Sequence, residues 1–272
     1  LFAVIIVLLV VLAGCGSSKA TKKAEKIVTD PNLQYVETDT GTWLIHDMDR
    51  PAPPIITPGT ASTQDKPGEK PSDATWLFNG TDESLKANWK RTKWIVRDGY
   101  MESVKGAGYI ETKEGFGSCH LHVEFATPTP PKGSSQGRGN SGVFLQGEYE
   151  VQVLDSYENV TYADGQCGAL YGRAVPKFNA CRPPGQWQTY DILYIRPIFK
   201  GKTDEVIRKP WFNVWHNGIP IQWDVELEGG TDWRGPHKIS GFRHLDDAGP
   251  IKLQDHGNPV RYRNIWIRPI DD

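Results

Sequence analysis

From about residue 75 onward, apolar and polar side chains alternate with the period of an extended strand rather than that of a helix. His120-Leu121-His122-Val123-Glu124-Phe125 directs Leu, Val and Phe to one face and His, His and Glu to the other. Gly142-Val143-Phe144-Leu145 leads through Gln146-Gly147 into a second alternating run, in which Tyr149, Val151 and Val153 oppose Glu148, Glu150 and Gln152. Trp94-Ile95-Val96 and Gly99-Tyr100-Met101-Glu102 flank Arg97-Asp98. Asp98-Gly99 and Asn217-Gly218 are dipeptides that close tight hairpins, because both positions accept a positive φ. Gln188 to Arg196, Trp211 to His216, Ile219 to Val225, Ile251 to Asp255 and Tyr262 to Ile267 extend the series. Past the N-terminal apolar stretch, no segment of helical period exceeds about two turns. Many short strands punctuated by turns predict an all-β sandwich of two antiparallel sheets, and the supply of Gly (28) and Pro (20) suits its turns.

The N-terminal region follows other rules. Phe2 to Leu12 is an unbroken apolar run, too short to cross a bilayer as a mature helix but of the length of a signal-peptide core. It runs into Leu12-Ala13-Gly14-Cys15, which resembles the lipobox of bacterial lipoproteins, where the signal is cut before a cysteine that becomes lipidated. The expectation is an exported chain with Cys15 as its lipidation site, held at the cell envelope and touching membrane only through the lipid. Residues 16 to about 33 read as a flexible tether. Thr42-Trp43-Leu44-Ile45 is strand-like, Arg50 to Pro58 is an extended Pro-rich segment, and residues 59–74 are loop-like. Trp43, Ile55 and Ile56 suggest that this extension docks on the domain. The expected organisation is a signal peptide and lipobox over 1–15, a tether and extension over 16–74, and a jelly-roll domain over 75–272. Cys119, Cys167 and Cys181 remain beyond the anchor. A Cys167–Cys181 disulfide flanking one loop and three buried free thiols are both open.

A charged fraction of 24% and a net charge of -2 argue against a nucleic-acid partner. The chain has neither a phosphate loop nor a dinucleotide fingerprint after a strand. Ten Trp and ten Tyr serve β cores, and also stack on the apolar C–H faces of sugars. Two strands bearing His122, Glu124, Glu150 and Gln152 on their polar faces suggest a concave polar groove, where a curved sandwich binds carbohydrate; a solvated face is the simpler reading for either strand alone.

Several ordered segments carry a resemblance. Trp76-Leu77-Phe78-Asn79-Gly80, Asn140 to Gly147, Tyr149 to Ser156, Pro184-Gly185-Gln186-Trp187-Gln188-Thr189-Tyr190-Asp191, Leu253 to Val260 and Arg263-Asn264-Ile265-Trp266-Ile267-Arg268-Pro269 are similar to those of the 3-keto-disaccharide hydrolase domain family. The resemblance covers roughly Thr75 to Ile270, and His46-Asp47 with Arg50-Pro51 looks like the N-terminal extension of exported members. It implies a concanavalin A-like jelly roll that cleaves glycosides already oxidised at carbon 3. It also implies a separate sugar 3-dehydrogenase as metabolic partner.

A ketone at C3 acidifies the C2 proton, because the resulting carbanion is an enolate. A base can remove that proton, the group on C1 can then leave by β-elimination, and water can add back. Such a site needs a positioned base, stabilisation for the enolate oxygen and an acid for the leaving group. The two opposed carboxylates of ordinary glycoside hydrolysis are not required. Glu150, held mid-strand, is the first candidate for the base; the competing role is a structural carboxylate paired with an arginine. His256 in Gln254-Asp255-His256-Gly257 is the second, with Asp255 as a possible orienting neighbour and a plain loop histidine as the alternative. Asn140, Gln152, Tyr171, Arg263 and Asn264 are candidates for binding sugar hydroxyls, and His122 and Glu124 for substrate or metal contacts. A divalent ion would suit polarisation of the ketone, but no compact ligand motif establishes one. Trp187 reads as a core residue before a stacking platform.

Two rivals stand beside this reading. Laminarinase-type glycoside hydrolases share the jelly roll and carry Glu-x-Asp-x-x-Glu along one strand; here Glu150-x-Gln152-x-x-Asp155 replaces the middle carboxylate by an amide. A non-catalytic carbohydrate-binding surface module uses the same fold.

Overall fold

A computed structural model describes residues 34–235 and 237–271. Cys15 with its lipobox, and the tether up to residue 33, lie outside the described residues. The described residues fall into two compact units, divided between Ile55 and Ile56. In the first, β1 (Tyr35–Thr38) and β2 (Gly41–Leu44) form an antiparallel hairpin.

The second unit opens with residues 56–74, folded on themselves by Thr60 N to Glu69 O (3.0 Å), Thr63 N to Lys66 O (2.8 Å) and Ser72 N to Thr57 O (3.0 Å). Its strands are β3 (Thr75–Phe78), β4 (Ile95–Arg97), β5 (Tyr100–Glu102), β6 (Ile110–Phe116), β7 (Cys119–Ala126), β8 (Ser141–Leu145) and β9 (Tyr149–Val153). They continue with β10 (Gln188–Ile195), β11 (Ile198–Phe199), β12 (Val206–Arg208), β13 (Trp211–His216), β14 (Ile219–Glu226), β15 (Gly249–Leu253) and β16 (Arg261–Pro269). One short helix, α1 (Asp82–Asn88), starts at Thr81, whose side chain accepts from Ser84 N at 3.1 Å.

The fold is a jelly-roll sandwich of an eight-stranded and a four-stranded antiparallel sheet. The larger runs β14-β13-β10-β7-β16-β5-β4, with β3 also paired to β16; the smaller runs β6-β15-β8-β9. The hairpin dipeptides behave as their chemistry demands. Asn217 and Gly218, and Gln146 and Gly147, all take positive φ, and they link β13 to β14 and β8 to β9. Alternation sets what is buried. Leu121, Val123 and Phe125 of the large sheet meet Tyr149, Val151 and Val153 of the small one in a single core. Three buried tyrosines of the large sheet reach across it to polar atoms of the small-sheet strands and turns. Tyr190 donates to Gln152 O (2.7 Å), Tyr262 to Ser141 Oγ (2.7 Å), and Tyr194 to Gln146 Oε1. Each gives a buried hydroxyl a hydrogen bond across the core. All three cysteines past residue 33 are free thiols, so the Cys167–Cys181 bridge left open by the sequence is not formed here, although the two residues are neighbours.

Candidate functional site

β9 forms the floor of the site. Since Tyr149, Val151 and Val153 enter the core, Glu150 and Gln152 point to the outer face of the small sheet. Three loops cover that face. The chain after β9 folds back alongside it: Gly168 N donates to Gln152 O (2.8 Å), Gln152 N to Ala169 O (2.9 Å) and Tyr171 N to Glu150 O (3.2 Å). Tyr171 is thereby delivered beside Glu150. From the other side comes the glycine-rich loop before β8, where Gln152 Nε2 donates to Gln136 Oε1 (2.9 Å) and Asn140 Nδ2 donates to Gln136 O (2.7 Å). A part-buried ion pair, Arg138 Nε to Asp155 Oδ2 at 2.7 Å, anchors this loop. The third loop brings Thr231, whose Oγ accepts from Glu150 N (2.7 Å) and donates to Glu148 O (2.9 Å). Together they enclose a cavity of about 600 Å³, lined by Tyr109, Gln136, Asn140, Phe144, Glu150, Gln152, Tyr162, Tyr171, Asp232, Trp233, Gln254 and His256.

Glu150 is only 5% exposed. Among the described residues no side chain hydrogen-bonds its carboxylate, and burial alone pushes its pKa up to about 8. Its place is opened by a glycine on the neighbouring strand: a Cβ on Gly142 would lie 2.2 Å from Glu150 Oε1. Around it stand groups with unused hydrogen-bonding capacity. The buried oxygens Asn140 Oδ1, Gln152 Oε1 and Gln254 Oε1 have no partner among the described residues. Tyr109 OH accepts from Gln254 Nε2 (2.6 Å), which leaves its own proton to donate. Tyr162 and Tyr171 share one hydrogen bond (2.7 Å), so one of those two phenol protons is also free. Burial holds the Tyr109 and Tyr171 pKa values above the usual phenol range, so both remain donors. Trp233 is 70% exposed and lines both this cavity and an adjoining one of about 550 Å³. The arrangement is a polar pocket with donors, acceptors and one desolvated carboxylate, suited to a hydroxylated ligand with a removable proton.

Of the residues singled out from the sequence, Glu150, His256, Asn140, Gln152 and Tyr171 line this cavity. His256 is exposed at its rim. Asp255 builds the turn instead of orienting His256: its Oδ1 accepts from Gly257 N (2.8 Å) and its Oδ2 from Gly108 N (3.1 Å). The shared groove of His122, Glu124, Glu150 and Gln152 is corrected. β7 lies in the large sheet and turns His122 and Glu124 to that sheet's outer face, across the core from β9. Arg263 and Asn264 belong to the same distant cluster. A β-bulge in β16, with Asn264 at φ 49°, lets both reach Glu124: Arg263 Nε contacts Oε2 at 2.7 Å and Asn264 Nδ2 contacts Oε1. Ser62 also donates to Glu124, and Thr63 O accepts from Arg263 Nη2 (2.6 Å), so residues 62–64 close over the cluster. His122 Nδ1 meets Asp191 Oδ1 at 2.8 Å, and its ring stacks on Trp266. Burial works against its charge, but Asp191 and Glu124 prevail and raise its pKa to about 9. Burial likewise opposes the charge of Glu124, and His122, Ser62, Asn264 and Arg263 hold it below the usual carboxylate range. This cluster lies across the core from the cavity and does not line it, although His122 Nε2 and Asn264 Oδ1 are buried without a hydrogen-bond partner among the described residues. Trp187 is neither core nor pocket; Arg263 and Arg261 lie over its ring at 4.3 and 5.4 Å.

Nothing in the sequence pattern marks the lining residues Tyr109, Gln136, Phe144, Tyr162, Asp232, Trp233 and Gln254. They sit mainly in loops, where no periodicity marks a side chain that returns over a sheet. Among the described residues, the one group of three His, Cys, Asp or Glu ligand atoms within 4.8 Å of one another is Cys167, Cys181 and His216, which does not line the cavity.

A jelly roll with a polar cavity on the outer face of its smaller sheet is a plan for binding or transforming a small polar molecule. Residues 73–268 match the 3-keto-alpha-glucoside-1,2-lyase-like domain, and the chain belongs to that family. The 3-keto-disaccharide hydrolase of Bacteroides thetaiotaomicron is 27% identical over 221 residues, spanning 66% of this chain and 71% of that protein. The crystal structure of a candidate glycosyl hydrolase from Parabacteroides distasonis ATCC 8503 superposes with a TM-score of 0.75 at 40% identity, covering 83% of this chain and 95% of that one. A second such structure from the same organism, at 20% identity and a TM-score of 0.52 over 73% of this chain and 94% of that one, shares the fold.

Proposed function

We propose that the protein cleaves 3-keto glycosides, with Glu150 as the base that removes the C2 proton. The observation that carries this reading is a buried carboxylate that accepts no side-chain hydrogen bond among the described residues, at the floor of a polar cavity, its pKa pushed up to about 8. Such a group is a stronger base than an ordinary carboxylate, yet is charged in a usable fraction near neutrality. The C2 proton passes to Glu150, and the C2–H electrons form the enolate with negative charge on the C3 oxygen. Phenol protons of Tyr109 and of the Tyr162–Tyr171 pair are the donors available to that oxygen. The enolate then expels the C1 oxygen, which takes a proton from His256 at the rim, leaving a C1–C2 double bond. Water adds across it to complete net hydrolysis. Asn140, Gln152 and Gln254 supply acceptors for sugar hydroxyls, and Trp233 a face for the leaving sugar. A metal ion bound to substrate would add polarisation of the ketone; the oxygen donors that line the cavity and could hold one are Glu150, Asp232 and the free amide oxygens. In this reading a sugar 3-dehydrogenase supplies the ketone, and lipidation at Cys15 would hold the enzyme at the cell envelope.

The test is incubation with a 3-keto disaccharide and with its unoxidised parent, with and without chelator, in deuterated water. Conversion of the keto sugar alone, with deuterium entering at C2 of the product, is expected. Its kcat/KM should rise with pH through about 8, and Glu150→Gln should lower it by about 10³-fold while sugar binding persists. Turnover of the unoxidised disaccharide would instead favour ordinary glycoside hydrolysis. Binding without any turnover would leave a carbohydrate-binding module.

A further inference from the structure

Cys167, Cys181 and His216 arrive from three places: the loop after β9, the approach to β10, and the end of β13. Two sulfurs and one imidazole nitrogen lie within 4.8 Å of one another. His216 is fully buried, its ring stacked on Phe125 at 5.9 Å and edge-on to Tyr190 at 5.0 Å. His216 Nε2 lies 2.9 Å from Gln188 Oε1. That oxygen also accepts from Arg182 N (3.0 Å) and Asn217 Nδ2 (3.3 Å). An oxygen surrounded by donors places the imidazole proton on Nε2. Nδ1 therefore keeps its lone pair, and it is buried with no hydrogen-bond partner among the described residues. A bare acceptor in an apolar core, beside two sulfurs, calls for an electrophile.

We propose that Cys167, Cys181 and His216 hold a zinc ion, with two thiolate sulfurs and Nδ1 as its protein ligands. On loading, Zn²⁺ displaces the two thiol protons to solvent and forms two Zn–S bonds and one Zn–N bond. The two positive charges of the metal and the two negative charges of the thiolates cancel, so the core gains no net charge. Gln188 is the outer-shell partner that fixes the imidazole tautomer, as metal-bound histidines require. Cys181 is the least buried of the three, the side from which a water would reach a fourth coordination position. Cys167 and Cys181 bracket Tyr171 in the chain, so the ion braces the loop that runs beside Glu150 and forms the cavity wall.

Full-length protein prepared without reductant or chelator should carry about one zinc per chain through gel filtration, measured by mass spectrometry of the metal. Cys181→Ser should lose at least nine-tenths of it with an unchanged far-ultraviolet spectrum, while Cys119→Ser retains it. The reduced, metal-stripped chain titrated with Co²⁺ should show a saturable sulfur-to-cobalt charge-transfer band, absent in Cys181→Ser. A disulfide joining Cys167 to Cys181 in the untreated protein, found by alkylation and peptide mass, would overturn the proposal. So would a reduced chain that gives no such band.

Discussion

Glu150 and Gly142 are a pair in which one residue's chemistry depends on the other's lack of a side chain. The glycine lies on β8, two residues from Phe144, the partner of Glu150, and a methyl group there would meet Oε1 at 2.2 Å and Cδ at 2.9 Å. The atoms struck are the free end of Glu150 and the edge of the Phe144 ring (Cε2, 2.9 Å) rather than backbone, so the two side chains should move and the sheet should stay. Gly142→Ala is accordingly expected to keep the far-ultraviolet spectrum and thermal stability within about 1 kcal/mol while lowering kcat/KM roughly 10–100-fold. Retained activity in a folded variant would show that the carboxylate's position is unimportant. Trp233 tests the opposite end of the cavity. An indole 70% exposed at its mouth has no packing role to lose. Trp233→Ala should therefore raise KM for a disaccharide about tenfold, or about 1.4 kcal/mol, with kcat preserved. A fall in kcat at constant KM would instead place the indole at the reacting centre.

At the scale of elements, what the sequence disclosed and what it hid have separate physical causes. β7, β9, β10 and β13 were legible because a strand with one face in the core must alternate, and Asn217-Gly218 because a tight hairpin requires two positive φ values. β6 was not, since Glu111, Lys113, Glu114 and Gly115 leave little apolar signal on an edge strand, and the β11–β12 hairpin is shorter than any period. Glu150 and Gln152 were legible as a polar face. Nothing in alternation reveals that β7 and β9 belong to different sheets, so the polar faces of His122 and Glu124 and of Glu150 and Gln152 look alike in the sequence. The segment over 56–74 was equally opaque: its hold on the large sheet rests on single polar atoms. Ser62 Oγ donates to Glu124 and accepts from Gly68 N (2.6 Å) and Asn264 Nδ2 (3.2 Å). Ser62→Ala should cost about 1–3 kcal/mol, because Glu124 loses a donor where water cannot replace it. Limited proteolysis should then cut within residues 59–70 faster than in the wild type, with turnover unchanged because the cavity is on the other sheet. Equal cutting rates would show that other contacts hold the segment.

Across the whole molecule, the two outer faces of the sandwich each carry a proton-binding group perturbed in the same direction for opposite reasons. On the large sheet, His122 is kept charged by Asp191 and Glu124 against the cost of burial, and its pKa rises from 6.5 to about 9. On the small sheet, Glu150 is kept neutral by burial, and its pKa rises from 4.5 to about 8. In both cases the folded chain retains a proton that the unfolded chain has lost. The stability due to Glu150 is fully present below pH 4.5 and disappears as pH rises through about 8; that due to His122 is fully present below 6.5 and disappears through about 9. Urea unfolding of wild type, Glu150→Gln and His122→Gln from pH 5 to 9 separates them. The stability of wild type minus that of Glu150→Gln should fall with pH across the lower window, and the corresponding difference for His122→Gln across the upper, each by at most about 1.4 kcal/mol per pH unit. Difference curves that stay level would mean that neither group is perturbed in the folded chain. The proposed reaction needs Glu150 ionised, so activity should climb over the same interval in which stability declines. A base made effective by burial is bound to destabilise the fold that buries it, and Glu150→Gln should therefore be the more stable protein above pH 8 even as it loses turnover.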